Sequence, residues 1–240
     1  MGQACDVLAV ASAKLTLSLR ITGVRDDGYH LIDAEMVTLE LADELEIEDG
    51  DGLEVIGASG LDVPASDDNL VRRALAAVGR TAHVRLTKRI PSGAGLGGGS
   101  ADGAAVLRWA GCRDLEVAAS LGGDVPFCVL GGHARVTGIG ERVEPLAALD
   151  RTFTLLTPPF GLETAAVYKA WDALGGPRGE GGNDLEPAAL LVEPRLADYR
   201  DRLAEATSRT PMLAGSGSTW FVEGAFPGDD RVVTRTDRPT

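Results

Sequence analysis

The sequence predicts an α+β fold in two parts, and three observations carry that prediction. Ala11–Ile21 alternates apolar and polar residues with period two, the pattern of a strand with one buried face. Helical and strand-like stretches mix along the chain without a strict βαβ rhythm. The 240 residues suffice for one large or two small domains with a sizeable core.

In the first strand Ala11, Ala13, Leu15, Leu17, Leu19 and Ile21 alternate with Ser12, Lys14, Thr16, Ser18 and Arg20. Lys14 and Thr16 are therefore expected on one polar face. Asp26-Asp27-Gly28 forms a turn. Strand-like stretches follow at Met36–Leu41, Glu44–Ile47 and Leu53–Ile56, with Glu44, Glu46 and Glu48 as one solvated face. The first good helix is Asn69–Val78, entered from the capping-type residues Asp67 and Asp68; Asn69 serves equally as a plain helix-start residue. After a strand at Ala82–Arg89 comes a glycine-rich loop, Pro91–Ser100, then an alanine-rich helix to about Trp109. A short helix, Asp114–Leu121, and strands near Ala134–Thr137 and Arg142–Leu146 complete a first domain, residues 1–148.

A second domain, residues 149–240, is expected to hold a strand at Phe153–Leu156 and a helix at Glu163–Leu174. Gly175–Gly182, with five glycines and a proline, is a loop. Helices at Leu185–Val192 and Arg195–Ala206 lead to Gly215-Ser-Gly-Ser218 and a strand at Thr219–Val222. The charged tail from Pro227 is expected to be loose. Packing explains Trp109, Trp171 and Trp220. His83 and His133 have no partner pattern and receive no role.

Apolar residues make up 44% and charged residues 25%, as in folded proteins, and the net charge is −13. That acidity argues against a nucleic-acid partner or an anionic membrane surface, while leaving room for a local phosphate pocket. No run reaches the length of a membrane span, and the first 15 residues lack the pattern of a signal peptide. Cys5, Cys112 and Cys128 show no metal-binding spacing, so reduced thiols in the cytoplasm are expected.

The most informative segment is the loop. Gly93, Gly95, Gly97, Gly98 and Gly99 lie within seven residues between a strand and a helix, with Ser100 expected as the helix N-cap. Glycines at positive φ let successive N–H groups converge on one anion, and a helix N-terminus adds unpaired donors and a positive dipole. This is a phosphate site made from backbone. It is not a Walker A loop, since no Gly-Lys-Ser/Thr follows. Gly93-x-Gly95-x-x-Gly98 matches the dinucleotide pattern, but no acidic strand end follows at the spacing a Rossmann unit requires.

Three motifs in order resemble those of the GHMP kinase superfamily: Ala13-Lys14-Leu15-Thr16-Leu17, the loop Pro91–Ala101, and Leu213-Ala-Gly-Ser-Gly-Ser218. Arg25, Asp27-Gly28-Tyr29-His30, Asp68-Asn69-Leu70, Gly123-Asp124-Val125-Pro126-Phe127 and Asn183-Asp184-Leu185-Glu186 are similar to the 4-diphosphocytidyl-2-C-methyl-D-erythritol kinase branch, over residues 10–223. The resemblance implies two lobes, a ribosomal-S5-like N-terminal lobe and a shortened ferredoxin-like C-terminal lobe. It also implies ATP and Mg2+, and transfer of phosphate to the 2-hydroxyl of a small molecule carrying a cytidine diphosphate group. The enzyme would be a monomer or weak homodimer.

By the same resemblance Pro91, Ser92, Gly93, Ala94, Gly95, Leu96, Gly97, Gly98, Gly99, Ser100 and Ala101 would bind ATP. Lys14 and Asp124 would be catalytic: the carboxylate as base, the lysine beside it stabilising phosphate charge. From sequence alone Asp124 is equally a capping carboxylate. Tyr29 and His30 would hold the cytosine. Tyr168 either stacks on it or faces the core, and Thr164 and Thr16 are further substrate-side residues. No protein metal ligand is assigned, Mg2+ being held mainly through ATP phosphates.

Two residues depart from the pattern. Thr16 stands where the family has asparagine, and Ala101 where it has a second serine. The region Gly111–Leu121 looks trimmed, and the tail after Val222 lacks room for a closing helix and strand. A homoserine- or mevalonate-type kinase and a non-catalytic nucleotide-binding relative are the alternatives.

Overall fold

The computed structural model describes residues 7–57 and 63–237; Cys5 lies outside them. The first half is organised by one long hairpin. Strands β1 (Val7–Val24) and β2 (His30–Glu48) pair antiparallel from Val7↔Ile47 to Val24↔His30. At 18 and 19 residues they are roughly three times the usual strand length. The two stretches expected between Met36 and Ile47 are thus parts of one strand. Its length gives β2 room for two partners on its far edge. There β4 (His83–Thr87) pairs with Glu44–Glu48, and β5 (His133–Gly138) with Ile32–Val37. The sheet is completed by β3 (Gly52–Ile56), parallel to β4, and β6 (Arg142–Pro145), antiparallel to β5.

The alternation in β1 fails where it matters most. Register shifts at Ser12/Lys14 and Thr16/Ser18 interrupt the period, and Ala13, Lys14, Leu15 and Thr16 are all buried. Lys14 and Thr16 do not form the solvated face of a surface strand. The face they occupy is covered, and the Lys14 N–H itself donates to the Leu96 carbonyl at 3.0 Å.

Helices α1 (Leu70–Ala77), α2 (Gly98–Trp109), α3 (Leu115–Leu121) and α4 (Val125–Leu130) complete this half. Asn69, rather than Asp67 or Asp68, caps α1, its side chain accepting from the Val71 N–H at 2.9 Å. Asp114 caps α3 in the same way. α2 carries buried Ala101, Ala104, Ala105, Val106 and Leu107 onto β1 and β2. Small alanines allow that close approach of helix to sheet.

The second half is a four-stranded antiparallel sheet in the order β10-β7-β9-β8, made of β7 (Thr152–Leu156), β8 (Met212–Leu213), β9 (Trp220–Glu223) and β10 (Val232–Arg235). Helices α5 (Thr164–Ala173), α6 (Glu186–Val192) and α7 (Leu196–Thr207) accompany it. The tail, expected to be loose and too short for a closing strand, contains β10, which pairs with β7. It also reaches the first half, where the Leu41 N–H donates to Thr234 Oγ1 and the Asp237 N–H to the Thr38 carbonyl. Backbone pairing fixes this segment; Thr234 is its one buried residue.

Apolar packing joins the two sheets. One cluster includes Ile32, Met36 and Val106 from the first half with Leu156, Val167 and Trp220 from the second. Another joins Leu15, Leu39 and Leu96 to Phe153 and Phe221. Trp220 is fully buried and donates its indole N–H to the Leu196 carbonyl at 3.0 Å.

Candidate active site

The glycine loop runs from β4 into α2. Gly93, Gly95 and Gly97 have φ of 71°, 76° and 68°. Gly97, not Ser100, is the N-cap, so α2 begins three residues earlier than expected and Ser100 lies in its first turn. The Ala101 N–H donates to the Gly97 carbonyl, leaving those of Gly98, Gly99 and Ser100 as the unpaired donors of the helix start. Those three residues line a cavity of about 580 Å³ together with Pro91, Ser92 and Ala94. The side chains of Leu96 and Ala101, assigned to the loop by sequence, turn away into the two apolar clusters.

The third motif braces the loop. Ser218 and Thr219 N–H groups donate to the carbonyls of Gly93 and Ala94, each at 3.1 Å, and Leu162 N–H donates to Gly93 at 2.9 Å. Gly95 is required by closeness as well as by φ: a Cβ there would sit 2.0 Å from the Ala214 carbonyl oxygen. Asn183, one residue of the Asn-Asp-Leu-Glu segment, donates to the carbonyls of Leu213 (2.9 Å) and Gly215 (2.6 Å). Its neighbour Asp184 accepts from Arg20 and from the Ile21 N–H, tying this segment to β1.

Lys14 and Asp124 meet at the cavity. Lys14 Nζ lies 3.3 Å from Asp124 Oδ2 and donates to Thr16 Oγ1 at 3.1 Å. Asp124 stands at the N-cap position of α4, yet its side chain makes no capping hydrogen bond. The carboxylate is therefore not committed to the helix start and instead faces Lys14 at the cavity wall. Thr16, expected on the substrate side, is 2% exposed and does not line the cavity; it takes part as a hydrogen-bond partner of Lys14. Cys128, behind Asp124, is buried, which pushes its thiol up to about 12, and it remains a packing residue.

The substrate-side residues divide. Thr164 and Tyr168, on α5, both line the cavity, and Thr164 Oγ1 lies 3.0 Å from Ser216 Oγ. Burial raises the Tyr168 hydroxyl well above its ordinary value, so it stays neutral. His30, the first residue of β2, docks on the same helix. Its ring lies 4.7 Å from Tyr168 and edge-on to Trp171 at 5.5 Å, and Nε2 is 2.7 Å from Asp172 Oδ1. His30 packs behind Tyr168 and does not itself line the cavity; Tyr29, 59% exposed near the Arg25 guanidinium, does not line it either.

Sequence reasoning missed the group beneath the loop. Lys88 and Asp102, both cavity-lining, form a buried ion cluster with Asp43. Lys88 Nζ donates to Asp43 and, at 2.7 Å, to Asp102 Oδ2. Asp43 also accepts from the N–H groups of Arg89 and Ile90. Lys88 precedes the loop and Asp102 follows it, so the cluster pins both ends to β2. Asp102 Oδ1 has no hydrogen-bond partner. Burial pushes the Asp102 carboxyl up to about 7 against the attraction of Lys88. The visible signal was an aspartate inside an alanine-rich helix.

The chain is similar to known proteins over most of its length. Residues 69–132 match the family model for the GHMP kinases N terminal domain. The chain is 39% identical to the 4-diphosphocytidyl-2-C-methyl-D-erythritol kinase of Paracoccus denitrificans, over 88% of this chain and 84% of that one. To the enzyme of the same name from Pelotomaculum thermopropionicum it is 38% identical, over 90% and 88%. A crystal structure of 4-(cytidine 5'-diphospho)-2C-methyl-D-erythritol kinase superposes with a TM-score of 0.74 at 30% identity, covering 96% of this chain and 100% of that one. The L. major mevalonate kinase, at 11% identity and a TM-score of 0.67 over 100% of this chain and 98% of that one, shares the fold. The two-lobed architecture is therefore the GHMP kinase fold, and the chain belongs to the 4-diphosphocytidyl-2-C-methyl-D-erythritol kinase family of small-molecule kinases.

Proposed function

We propose that this chain transfers the γ-phosphate of ATP to the 2-hydroxyl of 4-diphosphocytidyl-2-C-methyl-D-erythritol. The observation that carries the reading is the Lys14–Asp124 pair, 3.3 Å apart, beside a glycine-loop cavity. Phosphoryl transfer needs a cradle, positive charge and a base at the attacking hydroxyl. The N–H groups of Gly98, Gly99 and Ser100 supply the cradle. Asp124 accepts the proton of the substrate hydroxyl. Lys14, fixed by Thr16 and Asp124, has a third N–H for the transferring phosphate.

The cavity suits a nucleoside triphosphate with magnesium on its phosphate oxygens, where the ion would neutralise developing charge. Ser100 and Asp124, both lining the cavity, are oxygen donors on the protein side. His30, Tyr168 and Thr164 belong to the cytidyl end of the substrate, with Tyr29 at its exposed rim. The aromatic group around His30 favours this substrate over homoserine or mevalonate, which carry no base. We place the lobe boundary near residue 149, between the two sheets. Loop, lysine and aspartate come from one chain, so a monomer or weak homodimer suffices. The net charge of −13 opposes a nucleic-acid partner. No helix among the described residues is long and apolar enough to cross a membrane, and the free thiols of Cys112 and Cys128 suit a cytoplasmic enzyme.

The test is product identification. After incubation with magnesium-ATP and the cytidyl substrate, 31P NMR should show ADP and a new phosphomonoester in equal amounts. Esterification at any other hydroxyl, or ADP formed without a phosphomonoester, would exclude the reading.

A further inference from the structure

We infer that Asp172 is a positioning residue that decides which ring nitrogen of His30 meets the substrate's base. The inference rests on the cytidyl-substrate reading above.

His30 is held on several sides by one helix. Tyr168, Trp171 and Asp172 are spaced i, i+3 and i+4, so they share a face of α5. The rings of Tyr168 and Trp171 pack against the imidazole at 4.7 and 5.5 Å. The His30 side chain is only 10% exposed, and this packing resists a ring flip. Asp172 Oδ1 lies 2.7 Å from Nε2. An ionised carboxylate accepts hydrogen bonds and donates none, so Nε2 carries the hydrogen. In the neutral ring Nδ1 is then an acceptor, and it has no hydrogen-bond partner among the described residues.

An acceptor at that position selects a base presenting an N–H donor. Cytosine offers its exocyclic amine. Uracil has a carbonyl oxygen at the same place, and two lone pairs would face each other. Asp172 thus makes His30 a reader of the amino group, acting through the ring without touching the substrate. Its own side chain is 51% exposed, so substitution leaves the core intact.

Asp172→Ala and Asp172→Asn test this, the second because an amide oxygen still accepts from Nε2–H. The wild-type chain at pH 8, labelled with 15N-histidine, should show His30 as the Nε2–H tautomer, and Asp172→Ala should show a mixture. Asp172→Ala should raise KM for the cytidyl substrate about tenfold, the scale of one hydrogen bond, and narrow the preference over the uridine analogue. KM for ATP and kcat should stay within about twofold, and Asp172→Asn should restore most of the loss. An Nδ1–H tautomer in the wild type, an unchanged base preference in Asp172→Ala, or an equal rise in both KM values would overturn the inference. Titration with CMP against UMP, followed by the same histidine signals, needs no turnover. A failed substrate assignment would therefore remain distinguishable from a failed role for Asp172.

Discussion

Gly95→Ala probes the seam between the glycine loop and the third motif. The added Cβ would lie 2.0 Å from the Ala214 carbonyl oxygen and 2.8 Å from that of Gly217. Both are backbone atoms and cannot swing aside as a flexible side chain would. Ordinary contact begins near 3.4 Å, so loop or motif must move by more than 1 Å. Holding alanine at φ 76° costs a further 1–2 kcal/mol or so. The hydrogen bonds from Ser218 and Thr219 to the loop are then strained or broken, at about 1 kcal/mol each. The sum is roughly 3–4 kcal/mol of stability, and a displacement of about 1 Å at the phosphates lowers the rate about 100-fold. Urea unfolding and steady-state kinetics with varied ATP measure the two effects. A variant with wild-type unfolding and wild-type kcat/KM for ATP would refute the idea that the third motif sets the loop's position.

Thr16→Val removes the Lys14 acceptor at nearly constant volume; kcat should fall about tenfold with little change in the unfolding midpoint, and an unchanged kcat would show that Lys14 needs no such partner. Asp102 is raised to about 7 mainly by burial, so the folded chain holds this proton after the unfolded chain has lost it. Its contribution is therefore most favourable below about 4 and fades as pH rises toward 7. Asp102→Asn should gain stability relative to the parent between pH 4 and 7, read from thermal midpoints; a constant difference would contradict the assignment. Asp184→Ala strips the partner from Arg20 and from the Ile21 and Gly179 N–H groups, and should cost about 3 kcal/mol in urea unfolding. A loss under about 0.5 kcal/mol would show that the segment is held by other means.

What was legible in the sequence followed from local rules. Periodicity placed β1, capping-type residues placed α1, and turn chemistry placed Asp26-Asp27-Gly28. The glycine loop was visible because its backbone chemistry is written in residue type. Lys14 and Asp124 could be paired only by resemblance, since 110 residues separate them and nothing local brings them together. The burial of Lys14 and Thr16 was hidden because bulges break the period and a distant loop covers the strand. β10 was missed because pairing with β7, rather than a hydrophobic pattern, makes it a strand. Ser100 looked like a cap because serine favours that role, whereas Gly97 at positive φ ends the loop three residues sooner. The Lys88–Asp43–Asp102 cluster joins β2, α2 and the segment after β4, so no short window of sequence contains it.

The central claim is that Asp124, beside Lys14 at the glycine-loop cavity, takes the proton of a cytidyl-linked alcohol. ADP release from magnesium-ATP, with and without 4-diphosphocytidyl-2-C-methyl-D-erythritol, tests it most directly in the native chain and in Asp124→Asn. Turnover should depend on the alcohol and fall about 10²- to 10⁴-fold in the variant, with ATP affinity preserved. Equal turnover in the two proteins, or ADP release indifferent to the alcohol, would contradict it.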